Sequence, residues 1–168
     1  NLARDLKSEG IKICFIQEAR LEKLEINVGD YTLISNGYET NNPESKKRGG
    51  TAILIRKTLR NAYELNIIQE KWKDITIAVL RHKHERGPTR RCIRLVSFYA
   101  PQETDRSSSA NKAWQALRRN AMTNNKDTNN NIIIGSDTNG VIGKDENLIY
   151  EQIGNCTQEG GISKNGVK

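Results

Sequence analysis

Seven short apolar runs divide this chain, and each ends at a polar or turn-forming residue. They are Ile11–Gln17, Tyr31–Ser35, Thr51–Arg56, Leu65–Gln69, Ile75–Arg81, Cys92–Tyr99 and the decapeptide Asn131–Gly140, NIIIGSDTNG. Enrichment in β-branched and aromatic side chains makes them strands, so the fold must be built on sheets. The three consecutive isoleucines of the last run read as a buried, central strand. Open α/β sheets bind ligands outside the carboxyl ends of their strands, which places Asp137 and Asn139 where chemistry is usually done. Asp, Asn and Gly also favour turns for purely local reasons, so the decapeptide alone fits an Asx-rich turn equally well.

Between the strands the pattern changes. Leu2–Glu9 reads as a helix closed by Gly10, and Arg20–Glu25 as a short helix or irregular turn. Asn36–Arg48 is a polar loop ending in KKRGG, where Gly49-Gly50 adds backbone freedom to three positive charges. The middle strands, joined near Lys71–Lys73 and by a hairpin around Glu85–Thr89, suit an antiparallel meander. Ser107 or Ser108 caps a second helix that runs to Met122, with Trp114 and Leu117 on its core-facing stripe. There are no internal repeats, and beyond Gly140 only a brief ordered segment is expected. The order suits an α/β sandwich whose sheets contain antiparallel neighbours.

The 168 residues are enough for one domain with a sizeable core. No apolar run approaches the roughly 20 residues a membrane span requires, and Leu2 and Ala3 are followed at once by Arg4 and Asp5, unlike a signal peptide. Membrane partners are therefore not expected. Cys14, Cys92 and Cys156 form no C-x-x-C pair, and the first two lie in apolar runs, so structural thiols are expected rather than a metal or redox site. Net charge is +7, but residues 44–94 hold 14 Lys or Arg against 5 Asp or Glu. Such a concentration points to a polyanion partner, with a solubility bias as the plainer explanation.

Three strand ends share a pattern. ICFIQE delivers Glu18, LVSFYAP delivers Tyr99, and IIIGSDTN delivers Asp137 and Asn139, each just where the apolar run stops. If those ends converge, the site holds two carboxylates, a phenol and an amide. Hard cations such as Mg²⁺ take oxygen ligands, often one or two carboxylates completed by water and substrate phosphate.

In this order, the blocks resemble the endonuclease/exonuclease/phosphatase superfamily, the DNase I-like fold, and within it the apurinic/apyrimidinic-type endonuclease domains of non-LTR retrotransposons. IKICFIQEAR is similar to the strand bearing the family's metal-binding Glu, which falls on Glu18. GGTAILIRK is similar to its glycine-led strand, and LVSFYAPQ to the strand bearing an active-site Tyr, which falls on Tyr99. NIIIGSDTNG resembles the G-D-x-N box, at Asp137 and Asn139.

The resemblance implies a DNase I-like four-layered α/β sandwich with mixed, largely antiparallel sheets, of which residues 1–168 form a partial domain. It implies hydrolysis of DNA phosphodiester bonds with Mg²⁺, or Mn²⁺ in its place, leaving a 3′-hydroxyl and a 5′-phosphate. In that reaction Glu18 would be the principal metal ligand, and Asp137 would orient or deprotonate the attacking water. Asn139 would position water or phosphate, and Tyr99 would hydrogen-bond a phosphate oxygen. Lys46, Lys47, Arg48, Arg90 and Arg91 would hold the nucleic-acid backbone. A nuclear, retroelement-derived parent protein, with a reverse transcriptase as a candidate fusion partner, is implied too.

Several family features are missing. No strand precedes the first helix to carry the family's early Asn, and neither a Ser-x-x-Asp motif nor an Asp-His pair follows Asn139. Ser136 and Thr138 replace a common Gly and Phe. His82 and His84 lie far upstream and read as exposed residues on one strand face. The expectation is a fragment lacking both ends of the domain, with little or no turnover by itself. Two other functions remain open at this point, a catalytically inactive nucleic-acid-binding relative and a phosphoesterase with a non-nucleic-acid substrate.

Overall fold

A computed structural model describes residues 1–37, 49–87, 90–100, 108–122 and 130–138. In chain order these form α1 (Leu2–Ser8), β1 (Ile13–Gln17), β2 (Leu24–Val28), β3 (Tyr31–Ser35), β4 (Thr51–Arg56), β5 (Tyr63–Ile68), β6 (Ile75–His82), β7 (Cys92–Tyr99), α2 (Ser108–Met122) and β8 (Asn130–Asp137). A 3₁₀ segment, Lys57–Asn61, joins β4 to β5.

The strands form two four-stranded sheets, ordered β1-β4-β3-β2 and β5-β6-β7-β8. All described pairings are antiparallel except β7 with β8. A parallel pair needs a crossover, and α2 lies in it. Strand alternation then sorts the side chains into three apolar layers. On β4, Ala52 and Leu54 face α1 with Ala3 and Leu6, whereas Ile53 and Ile55 face the other sheet. On β6, Ala78 and Leu80 meet them from the second sheet, while Ile75 and Ile77 turn outward to Ala113 and Ala116 of α2. The stack is helix, sheet, sheet, helix. This is a four-layered α/β sandwich with mixed, largely antiparallel sheets, as expected.

Trp114 and Leu117 pack on the outer layer as expected, and the Trp114 ring meets Phe98 edge-on at 5.0 Å between centroids. Three elements differ from expectation. Arg20–Glu25 is not helical; its end enters β2, a strand held by pairing with β3 across the Gly29-Asp30 turn. Its sequence, LEINV, does alternate apolar with polar residues, but the alternation is short and its central residues, Ile26 included, are exposed. The segment Lys57–Asn61 carries no periodic signal. Among the described residues the isoleucine run lies at an edge rather than centrally, since there β8 pairs only with β7. Ile133 and Ile134 are each 44% exposed at that edge.

Candidate functional site

The two sheets come close together near the ends of β1, β7 and β8. A Cβ on Gly135 would lie 2.4 Å from the Phe15 ring of β1, so only glycine permits this spacing. Just beyond, Gln17 Nε2 donates to Gly135 O at 3.1 Å and to Ser97 Oγ at 3.3 Å, and Ser97 Oγ donates to Ile16 O at 3.1 Å. These bonds pin the strand ends together across the sandwich.

Above this bridge the chain ends its strands. Alternation along β1 would send residue 18 outward with Cys14 and Ile16. Instead Glu18 and Arg20 both take left-handed backbone, each at φ 50°, and break the alternation. Left-handed non-glycine residues cost about 1 kcal/mol or more and persist only where surroundings fix them. The result is a carboxylate facing the second sheet, where Tyr99 Oη donates to Glu18 Oε1 at 2.5 Å. Glu18 Oε2 lies 3.6 Å from the Arg20 guanidinium, an exposed pair of little energetic weight. Tyr99 is in register with Asp137 on the parallel neighbour β8, and Ala100 N donates to Asp137 O at 2.8 Å. By alternation, Tyr99 and Asp137 share the inner face with Ser97 and Gly135.

The backbone that holds Glu18 is itself held. Ala19 N donates to Gly50 O at 2.9 Å, and Arg20 N to Gly49 O at 3.2 Å. Gly49 and Gly50 sit at φ 75° and 83°, where only glycine is comfortable. Gly50 N donates to Asp74 Oδ1 at 2.8 Å, and Tyr99 N donates to Asp74 O at 2.9 Å. Burial pushes the Asp74 carboxyl above its ordinary range, against the opposing pull of the Gly50 N–H and of Lys73. Behind it, the buried Asn36 amide donates to the carbonyls of Glu70, Trp72 and Ile75 at 3.0, 2.6 and 2.8 Å, shaping the β5–β6 connection.

Glu18, Tyr99 and Asp137 are thus brought to one end of the sandwich. Asn139, Lys46, Lys47 and Arg48 lie outside the described residues. Arg90 and Arg91 are at the start of β7, roughly 25 Å along the strand from Tyr99. Arg90 donates to His82 O at 2.7 Å and to Glu64 Oε2 at 3.1 Å. Arg91 pairs with Glu85, whose carboxyl is held below its ordinary range first by the Arg91 N–H. His82 and His84 belong to that same far end. Contrary to expectation they do not share a strand face, since β6 ends at His82 and His84 lies in the turn, with His82 half-buried beside Glu85. Cys14 and Cys92 are free thiols, and desolvation raises the Cys14 pKa, as suits an inert structural thiol.

Sequence reasoning missed Gln17, Ser97, Asp74 and Asn36. Their roles depend on contacts 24 to 118 residues apart in the chain, which no local pattern marks. Among the described residues no group of three or more His, Cys, Asp or Glu lies close enough to hold an ion by side chains alone. Mg²⁺ commonly uses one or two carboxylates and keeps several waters, so the oxygen donors of Glu18 and Asp137 fit such an ion. No described helix is long and apolar enough to cross a membrane.

No known protein-family profile matches the chain, and no curated protein matches it. Among solved structures, it is similar to humanized D. rerio TDP2 carrying 14 mutations, with TM-score 0.49 and 15% identity over 82% of this chain and 56% of that one. It is also similar to D. rerio TDP2 complexed with single-strand DNA product, with TM-score 0.45 and 13% identity over 82% of this chain and 52% of that one. The chain therefore spans little more than half the length of these structures.

Proposed function

We propose that this chain carries the phosphodiester-hydrolysing centre of a Mg²⁺-dependent DNA endonuclease, of the kind found in retroelement endonuclease domains. The observation that carries the reading is the Tyr99–Glu18 hydrogen bond across the two sheets, with Asp137 in register beside Tyr99. Phosphodiester hydrolysis needs an activated water, a clamp on the phosphate and neutralisation of the charge that develops on oxygen. A bound Mg²⁺ supplies that neutralisation.

The protein groups divide the remaining work. Glu18 presents the ligating carboxylate, oriented by the Tyr99 hydroxyl on one oxygen. The same hydroxyl is placed to donate to a non-bridging phosphate oxygen when substrate enters. Asp137 accepts the proton of the attacking water, and Asn139, two residues on, positions water or phosphate. Arg20 pairs with Glu18, Lys73 lies against Gly49, and Lys46, Lys47 and Arg48 directly precede Gly49 in sequence. These are assigned to phosphate contacts, which hold the backbone without reading bases. Arg90 and Arg91 would be reached only by a duplex spanning the sheet, about seven base pairs at ~3.4 Å each. Nuclear residence, a retroelement parent and a reverse transcriptase in the same polypeptide belong to this reading and are tested by the flanking coding sequence.

A second reading is a nucleic-acid-binding relative without catalysis. It is favoured by the far-end placement of His82 and His84, which leaves the site, among the described residues, without a histidine to assist proton transfer. Nicking of supercoiled plasmid separates the two. The first reading expects cleavage by a polypeptide containing this chain that requires Mg²⁺, stops with EDTA and is abolished by Glu18→Ala or Asp137→Ala. Retained DNA binding with no nicking supports the second reading, and nicking that survives both substitutions overturns the first.

A further inference from the structure

We infer that Asp74 is the positioning residue that couples the Glu18 turn to the Tyr99 strand end; this rests on the reading of Glu18 and Tyr99 as parts of the reacting centre. The two residues come from different sheets; the Gln17 and Ser97 bonds hold the strands below them, but not the left-handed turn that carries Glu18. Asp74 reaches both. Its side-chain Oδ1 accepts from Gly50 N at 2.8 Å, and its main-chain oxygen accepts from Tyr99 N at 2.9 Å. Gly50 O and Gly49 O in turn accept from Ala19 N and Arg20 N, the two amides that follow Glu18. One residue thereby ties the left-handed turn on the first sheet to the last residue of β7 on the second.

The side chain must be short and must accept. A Cβ on Gly49 would lie 2.3 Å from Asp74 Oδ1, so the diglycine approaches as closely as it can. The carboxylate is itself held in a rigid frame. Thr51 N donates to Lys73 O at 3.1 Å, and the Asn36 amide fixes the carbonyls on either side, at Trp72 and Ile75. Without an acceptor at Asp74, Gly50 N loses its partner in a partly buried site, and the 18–20 turn loses the support that offsets its two left-handed residues. Glu18 and Tyr99 then separate, although neither has been changed.

The test uses the full 168-residue chain with ¹³Cζ-labelled tyrosine. The Tyr99 signal is assigned with Tyr99→Phe, and its position without the hydrogen bond is taken from Glu18→Ala. Asp74→Ala is expected to move the Tyr99 signal to the Glu18→Ala position, while Tyr31 and Tyr63 report an otherwise intact fold. Asp74→Asn, which keeps an acceptor oxygen, is expected to restore the wild-type signal. Should Asp74→Ala not fold, Asp74→Ser, whose hydroxyl is too short to reach Gly50, is expected to show the same displacement. A wild-type Tyr99 signal in Asp74→Ala or Asp74→Ser, or an Asn variant as displaced as the Ala variant, overturns the assignment. Added Mn²⁺ separates this from the metal-site reading. Broadening of Tyr99 that disappears in Glu18→Ala and needs about 10- to 100-fold more Mn²⁺ in Asp74→Ala supports both. Failure of Mn²⁺ to broaden Tyr99 in wild type overturns the metal-site reading, while the signal positions still decide the role of Asp74.

Discussion

Replacing Gly49 with alanine isolates the close approach on which the site is built. Gly10 and Gly49 share a left-handed backbone, at φ 68° and 75°, but differ in surroundings. A Cβ on Gly10 meets nothing within 4 Å, whereas one on Gly49 lies 2.3 Å from Asp74 Oδ1 and 3.3 Å from its Cγ. Both substitutions bear the left-handed penalty of about 1–2 kcal/mol. Gly49→Ala must also displace the carboxylate from Gly50 N, and a buried donor without its acceptor costs about 1–3 kcal/mol more. The expected losses are roughly 1–2 kcal/mol for Gly10→Ala and 2–5 kcal/mol for Gly49→Ala. In urea unfolding, the difference separates the midpoints by about 1 M at a typical slope for a small domain. In an Asp74→Ala background the steric contribution disappears, so Gly49→Ala should then cost no more than Gly10→Ala. Equal single-mutant losses, or a Gly49→Ala loss that Asp74→Ala leaves undiminished, would refute the reasoning.

Other perturbations probe neighbouring contacts. Gly135→Ala forces a Cβ against Phe15 and should destabilise by about 1–3 kcal/mol in the same urea assay, with Phe15→Leu recovering part of the loss. Asn36→Asp turns an amide that donates to three carbonyls into a group that repels them; it should destabilise more than Asn36→Leu, increasingly so as pH rises. Asp74 titrates above its ordinary 3.8 when folded, so over the window from there up to its folded pKa the native state binds more protons than the unfolded one. Its contribution to stability therefore falls as pH rises through that window and is flat above it. Wild type minus Asp74→Asn, compared by thermal unfolding from pH 3.5 to 7, should show this negative slope, and a flat or positive difference contradicts it. Phosphate contacts predict that DNA affinity falls steeply as salt rises, by a slope of about 0.9 per contact, and lessens by about one contact in Lys73→Ala.

The strands with dense β-branched content were legible to the residue. Tyr31–Ser35, Thr51–Arg56 and Cys92–Tyr99 have the bounds their composition suggests, because each is buried or half-buried along its whole length. Strand β2 carries only a short signal, the alternation of Leu24, Ile26 and Val28, and with its middle exposed it is held by pairing with β3. For the isoleucine run, consecutive residues of a strand point to opposite faces, and among the described residues β8 is covered on one edge only, which leaves Ile133 and Ile134 44% exposed. The strand ends themselves were visible in sequence, but their meeting was not. Glu18 and Tyr99 stand 81 residues apart on different sheets, and only the ordered family pattern suggested that they converge. Asp74 gave no sign at all, because a lone acid in a basic loop has the composition of an ordinary turn. Gly49-Gly50 signalled backbone freedom, yet its purpose shows only where Asp74 approaches.

Divalent-metal binding at the convergent strand ends tests the central claim most directly. Mn²⁺ titrated into the chain and followed by the resonance of the free ion should show one saturable site, lost in Glu18→Ala and weakened in Asp137→Ala, with Arg90→Ala unchanged. A Mn²⁺ site that survives Glu18→Ala, or the absence of any saturable site, would contradict the account.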